Sequence, residues 1–300
     1  MTRDACPLAS GGASAAAGAT YRRVIRAGHG VLRLLDVQER WAGLEHVPRT
    51  GPVVVVANHH SFADFAVVGH ALTQRGRFGR FLCRADLWRS RPVGRALDAM
   101  GHVPVDFAAP AAAFLDARRL LEAGEAVVIF GQAGFGHSYT VERLMPGAAA
   151  LARTTGAPLV PLAHWGSQRL WPVKRHPDAP AARPTPRRHV VVDVQVGPSP
   201  VPGASSQGDA GGSPRAVLSD ARRQDVAATL ALGDWLDATL TRLQALPEHR
   251  PTHGPASAWP THPTHLGGGA LTPAQATLLD RRPPGVVEAG WGSREPRPAP

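Results

Sequence analysis

The stretch "VVVVANHHSFADF" (53–65) carries an apolar run into Asn58-His59-His60 and reaches an aspartate at position 64. Four valines in a row read as a buried strand, and the polar residues that stop it stand at its C-terminal edge. A histidine just past a strand, an aspartate five residues on and Ser61 placed to cap the helix between them put an imidazole beside a carboxylate. That is the geometry of an acid–base pair. The carboxylate of Asp64 fixes the tautomer of His59 and stabilises its imidazolium, while the other ring nitrogen removes a proton from a hydroxyl. No G-x-S-x-G motif accompanies the pair, so direct attack by a substrate alcohol activated by His59 is the economical mechanism.

Outward from this strand, short apolar runs alternate with helical patterns. Strands are expected at 53–57, 79–83, 102–105, 126–130, 159–163 and 189–196. Helices are expected at about 62–74, 86–99, 110–123, 147–155 and 216–246. The alternation predicts an α/β fold, a single domain with a central, largely parallel sheet covered by helices. Ahead of it, Val24, Val31, Leu32 and Leu35 recur at near-helical spacing among Arg22, Arg23, Arg26 and Arg33, so residues 21–40 read as a basic amphipathic helix. Residues 1–20 are small and read as disordered. The folded unit is therefore expected at 21–246, with flexible loops at 175–189 and 198–214. Residues 247–300, rich in Pro, Gly and His, read as a low-complexity tail without fixed structure.

The balance of 33 basic against 23 acidic residues gives net +10, and Lys174 is the only lysine. Charge of this sign suits nucleic acid, anionic lipid or an acidic substrate alike. No helix-turn-helix, zinc or aromatic RNA-binding pattern accompanies the arginines, so no nucleic-acid partner is expected. Cys6 and Cys83 have neither disulfide-framework nor metal-ligand spacing, which points to a reducing cytoplasm, and no metal site is expected. The sequence holds no apolar run of spanning length and its opening residues lack an apolar signal core, so contact with a membrane would be peripheral.

The chain resembles the glycerolipid acyltransferases of the lysophosphatidic acid (1-acylglycerol-3-phosphate acyltransferase) type, which carry an N-H-x-x-x-x-D motif of this form. The likeness runs through "GLEHVPRTGPVVVVANHHSFAD" (43–64), "LMPGAAALA" (144–152), "GAPLVPLA" (156–163) and "VDVQVGPSP" (192–200). It implies a glycerol-3-phosphate acyltransferase-like fold, His59 as general base with Asp64 as its orienter, and no cofactor beyond the donor substrate, acyl-CoA or acyl carrier protein. A lipid acceptor and a membrane surface, at the inner face, are the implied partners.

Two blocks depart from the family pattern. Where its second block ends in arginine, "GHVPVDF" (101–107) ends in Phe107; where it has F-P-E-G-T-R, this chain reads "FGQAGF" (130–135). Gln132 stands in the place of the carboxylate and Phe135 in that of the arginine. The resemblance assigns Gly131, Gln132, Ala133 and Gly134 to substrate binding, and Arg84 to a position where the family often keeps a basic residue. Phenylalanine cannot supply the bidentate bonds of a guanidinium to phosphate, so lysophosphatidic acid itself is a doubtful acceptor. The alternative is a degenerate relative of the same fold that binds lipid or acyl thioester without turnover.

Overall fold

A computed structural model describes residues 12–173, 183–185, 187–200, 214–250, 254–255 and 259–279. Seven strands form one sheet in the order β1-β7-β6-β2-β5-β3-β4. They are β1 (Gln38–Ala42), β2 (Val53–Ala57), β3 (Gly79–Arg84), β4 (Val103–Val105), β5 (Ala126–Phe130), β6 (Leu159–Trp165) and β7 (Val191–Val196). Every neighbouring pair is parallel except β6 and β7. The expected largely parallel α/β sheet is what the chain forms.

The valine run is the central strand β2, paired in parallel with β5 on one side and β6 on the other and buried throughout. Its alternate side chains go to opposite faces. Val54 and Val56 join the core beneath helices α4 (Pro110–Glu122), α5 (Gly147–Thr155) and α6 (Pro214–Gln244), through Leu121, Leu151 and Leu236. Val53, Val55 and Ala57 join the opposite core with Val67, Val68 and Leu72 of helix α2 (Asp64–Thr73). Helix α1 (Gly12–Leu34) lies against α2 and α3 (Arg91–Ala99), and the hydroxyl of Tyr21 donates to the carbonyl of Gly79.

Several boundaries differ from the sequence reading. Helix α1 begins at Gly12, not Tyr21, because Ala13, Ala15, Ala16, Ala17 and Ala19 favour helix strongly; residues 1–11 lie outside the described part. It also ends at Leu34, and Asp36 takes a left-handed φ of 51° that turns the chain into β1, an edge strand not anticipated. The arginine-marked helical pattern, read over 21–40, ran into Gln38–Arg40 and hid the strand's period of two, in which Glu39 and Trp41 point inward. The helix expected at 86–99 is broken into a 3-10 turn at Ala85–Arg89 and α3, since Pro92 has no N–H to give back to the preceding turn. The loop at 175–189 is described only in part, and most of 198–214 lies outside the described residues.

The tail also departs from expectation. A 3-10 turn at Pro247–His249, another at Thr264–Leu266 and helix α7 (Pro273–Leu279) follow α6, with His249, His262 and Ala276 buried. The buried His249 donates from Nε2 to Asp193 of β7 at 2.6 Å and accepts at Nδ1 from Arg169 at 2.8 Å. Arg40 of β1 forks onto the same carboxylate at 2.7 and 2.6 Å. Composition suggested a segment unable to order itself, whereas these contacts are made by the body it lies on. Residues 280–300 are outside the described part.

Candidate functional site

The C-terminal edges of β2, β5 and β6 meet at one place, and the polar residues that end each strand meet there. This is where parallel sheets open to ligands. The Nδ1–H of His59 donates to Oδ2 of Asp64 at 2.9 Å, bringing together the two residues singled out from the motif. That same oxygen accepts the backbone N–H groups of His60 and Ser61 at 2.7 and 2.8 Å, and Oδ1 accepts the hydroxyl of Ser167 at 2.6 Å. Asp64 is fully buried at the first residue of α2. Burial alone would raise its pKa, but His164, His59 and the bond from Ser167 overcome that effect and hold the carboxyl down at about 2. An ionised carboxylate at Nδ1 leaves the lone pair of His59 on Nε2, which has no hydrogen-bond partner among the described residues.

Around this pair the strand ends are stitched by side chains. Asn58 donates from Nδ2 to the carbonyl of His164 and to Nδ1 of His60, and its Oδ1 accepts the N–H of His164. His60, buried, donates from Nε2 to the carbonyl of Thr140, and burial pushes its pKa down to about 4. It is a structural neighbour of the base. Ser61 does not cap α2; its hydroxyl donates to the carbonyls of Ser167 and Trp171 and accepts the N–H of Ala63. His164 and Ser167 were missed in the sequence, and Asn58 was read as the start of the motif without its bonds to His164. The signal available was "HWGSQR" (164–169), a polar run that stops a buried strand as Asn58-His59-His60 does.

The loop after β5 lies over the pair. The ring of His59 stacks on Phe130 with centroids 3.9 Å apart and meets Phe135 on its other side at 4.0 Å. Phe62 extends this aromatic group, 4.7 Å from Phe135. His59 keeps 19% of its side-chain surface exposed between these rings.

Of the residues assigned to substrate binding, Gln132 is buried and its amide is occupied by backbone: Oε1 accepts the N–H of His59 at 3.0 Å and Nε2 donates to Thr140 at 3.3 Å. Gly131 packs so tightly that a Cβ would lie 2.8 Å from both Leu144 and Val56. Ala133 holds a left-handed φ of 53°, and Gly134 is exposed. Arg84 ends β3 on the same edge, two strands from β2 and so about 10 Å away, but its side chain is exposed and forked onto Asp86 at 2.7 Å. Arg143, unremarked in the sequence, lies closer: its Nε donates to the carbonyl of Gln132 at 3.1 Å, and a Cβ added to Gly134 would lie 3.9 Å from its guanidinium.

Residues 40–165 match the family model described as Acyltransferase. Over 134 residues the chain is 28% identical to "1-acyl-sn-glycerol-3-phosphate acyltransferase BAT2, chloroplastic" of Brassica napus, an alignment covering 43% of this chain and 38% of that protein. Over 145 residues it is 33% identical to an uncharacterized protein of Mycobacterium tuberculosis, covering 44% of this chain and 38% of the relative. The match thus spans under two fifths of these curated relatives. The crystal structure of the 1-acyl-sn-glycerophosphate (LPA) acyltransferase PlsC from Thermotoga maritima aligns with a TM-score of 0.53 at 17% identity, covering 75% of this chain and 80% of that one. At that identity the two share a fold. Among the described residues, no helix is long and apolar enough to cross a membrane.

Proposed function

We propose that this protein, whose residues 40–165 match the Acyltransferase family model and whose curated relatives include a 1-acyl-sn-glycerol-3-phosphate acyltransferase, transfers a fatty acyl group from an acyl thioester, acyl-CoA or acyl carrier protein, to a hydroxyl of a lysophospholipid or related lipid. The observation that carries the reading is the bond from His59 to a fully buried, ionised Asp64, with Nε2 left unbonded at the sheet edge. Nε2 takes the proton of the acceptor hydroxyl as its oxygen attacks the thioester carbonyl. The tetrahedral intermediate then collapses, and the thiolate leaves with the proton held by the imidazolium. Asp64 stays ionised and keeps the Nδ1–H in place throughout.

Phe135 faces the base where the family pattern has arginine, so the acceptor region beside His59 is more apolar than a phosphate clamp. A dianionic phosphate brought there loses hydration that phenyl rings cannot replace. An acceptor whose reacting end lacks the terminal phosphate is therefore preferred. The exposed arginines of α1 beside Val24, Val31 and Leu34 favour work at an anionic membrane surface, the inner face in a cell.

A second reading rests on the two phenyl rings against His59: the same packing suits a relative that binds an acyl chain without turnover. Incubating the full-length protein with labelled acyl-CoA, or acyl carrier protein, and a lipid extract separates the two. Acylated lipid that disappears with His59→Ala supports the enzyme; thioester binding with no product from either donor leaves the binding protein.

A further inference from the structure

The far end of α2 from Asp64 carries a second meeting of ligand-type side chains. His29 of α1, Glu39 of β1 and His70 in the last turn of α2 each present a ligand atom, and these atoms all lie within 4.8 Å of one another. Among the described residues no other group of three or more His, Cys, Asp or Glu does so. His70 Nδ1 is 2.7 Å from Oε2 of Glu39, with 6% of each side chain exposed, and the rings of His29 and His70 are 4.1 Å apart. Oε1 of Glu39 is buried with no hydrogen-bond partner. A glutamate has thus been turned to the inward face of an edge strand with one oxygen unanswered. Residues 29, 39 and 70 are too far apart in the chain for any spacing motif to reveal them.

The geometry points to a zinc(II) site formed by His29, Glu39 and His70. Two imidazoles and one carboxylate are a recurrent zinc set, and a divalent cation answers the buried carboxylate oxygen that neither imidazole reaches. Ligand atoms around a tetrahedral ion stand about 3.3 Å apart, inside the present spread, and the His70–Glu39 bond opens slightly as the ion enters. His29 is the least buried of the three, so a fourth position on its side is open to water. The ion would join α1, β1 and α2, and through α2 it would steady the helix whose first residue orients His59.

The test uses the full-length chain, stripped with chelator and titrated with zinc chloride by calorimetry. One ion per chain is expected at about micromolar Kd or tighter, with Tm rising by about 5–10 °C at zinc 100-fold above Kd. Cobalt(II) should give the intense visible bands of a four-coordinate site. His29→Ala, at the least buried position, and Glu39→Gln should each weaken zinc binding by about 100-fold or more while leaving the tail histidines intact. Zinc binding that is only millimolar, affinity unchanged in both variants, or no visible cobalt spectrum from the wild-type chain would each overturn the site.

Discussion

The imidazole of His59 lies between two phenyl faces, so the charge it gains on taking a proton meets the negative faces of Phe130 and Phe135 as well as the carboxylate of Asp64. Replacing the two polar partners has different expected outcomes. His59→Ala should lower the acyl-transfer rate by about 10²–10⁴ with an unchanged circular dichroism spectrum. Asp64→Asn should lose activity and also about 2–5 kcal/mol of stability in urea unfolding, because an amide cannot accept all four hydrogen bonds the carboxylate receives. His60 sets an acid limit. Its folded pKa, about 4, lies below the ordinary 6.5, so protonation favours the unfolded chain. The stability it contributes is complete above pH 6.5 and lost as pH falls toward 4, roughly 3 kcal/mol in all; Asp64 adds a further loss between pH 3.8 and about 2. Unfolding midpoints followed down in pH should show the first decline, and His60→Gln should reduce it by its share only, because burial also pushes His102 down to about 4 and lowers His164. The pairing of His59 with Asp64 was legible because a strand end and a helix start fix a five-residue geometry locally. The parts played by Gln132 and Ser167 were not, because their partners lie 73 and 103 residues away in sequence.

Among the elements, the loop after β5 decides what reaches the base. Its first residue has no room for a side chain, so Gly131→Ala should cost about 1–3 kcal/mol by overpacking against Leu144 and Val56, read as a lower urea midpoint. Phe135→Arg restores a guanidinium beside His59. It should raise the ratio of kcat/KM for lysophosphatidic acid over a neutral acceptor; an unchanged ratio would show that Arg143 or Arg84 already meets the phosphate. Helix α1 offers its arginines outward. Converting Arg22, Arg23 and Arg26 to Gln should weaken sedimentation with anionic vesicles at low salt and leave the fold intact, and equal sedimentation would remove the helix from membrane contact. Elements with strong patterns were placed well from sequence, β2, β5 and α5 to the residue. The edge strand β1 was not, since five residues whose neighbour comes from the far end of the domain carry too short a pattern to outweigh the helix before them.

At the scale of the molecule, the sheet is closed at one end by pieces distant in the chain. The turn at Pro247–His249 locks onto β7 and β1 through Asp193, whose carboxyl is held down by His249 and Arg40 against the effect of burial. His249→Ala should cost about 1–3 kcal/mol, measurable by urea unfolding, although the segment's composition alone suggested no fixed structure. The parallel pairing of β1 with β7 sets Arg40 opposite Asp193, 153 residues later. During synthesis at about 5–20 residues per second, roughly 8–30 s pass before that neighbour exists. Through this interval the nascent chain shows Trp41 and an unpaired strand edge to solvent, so β1 stays open to misplaced pairing until β7 is made. Stalled nascent chains should gain protease resistance at residues 38–42 only after residue 196 has left the exit tunnel.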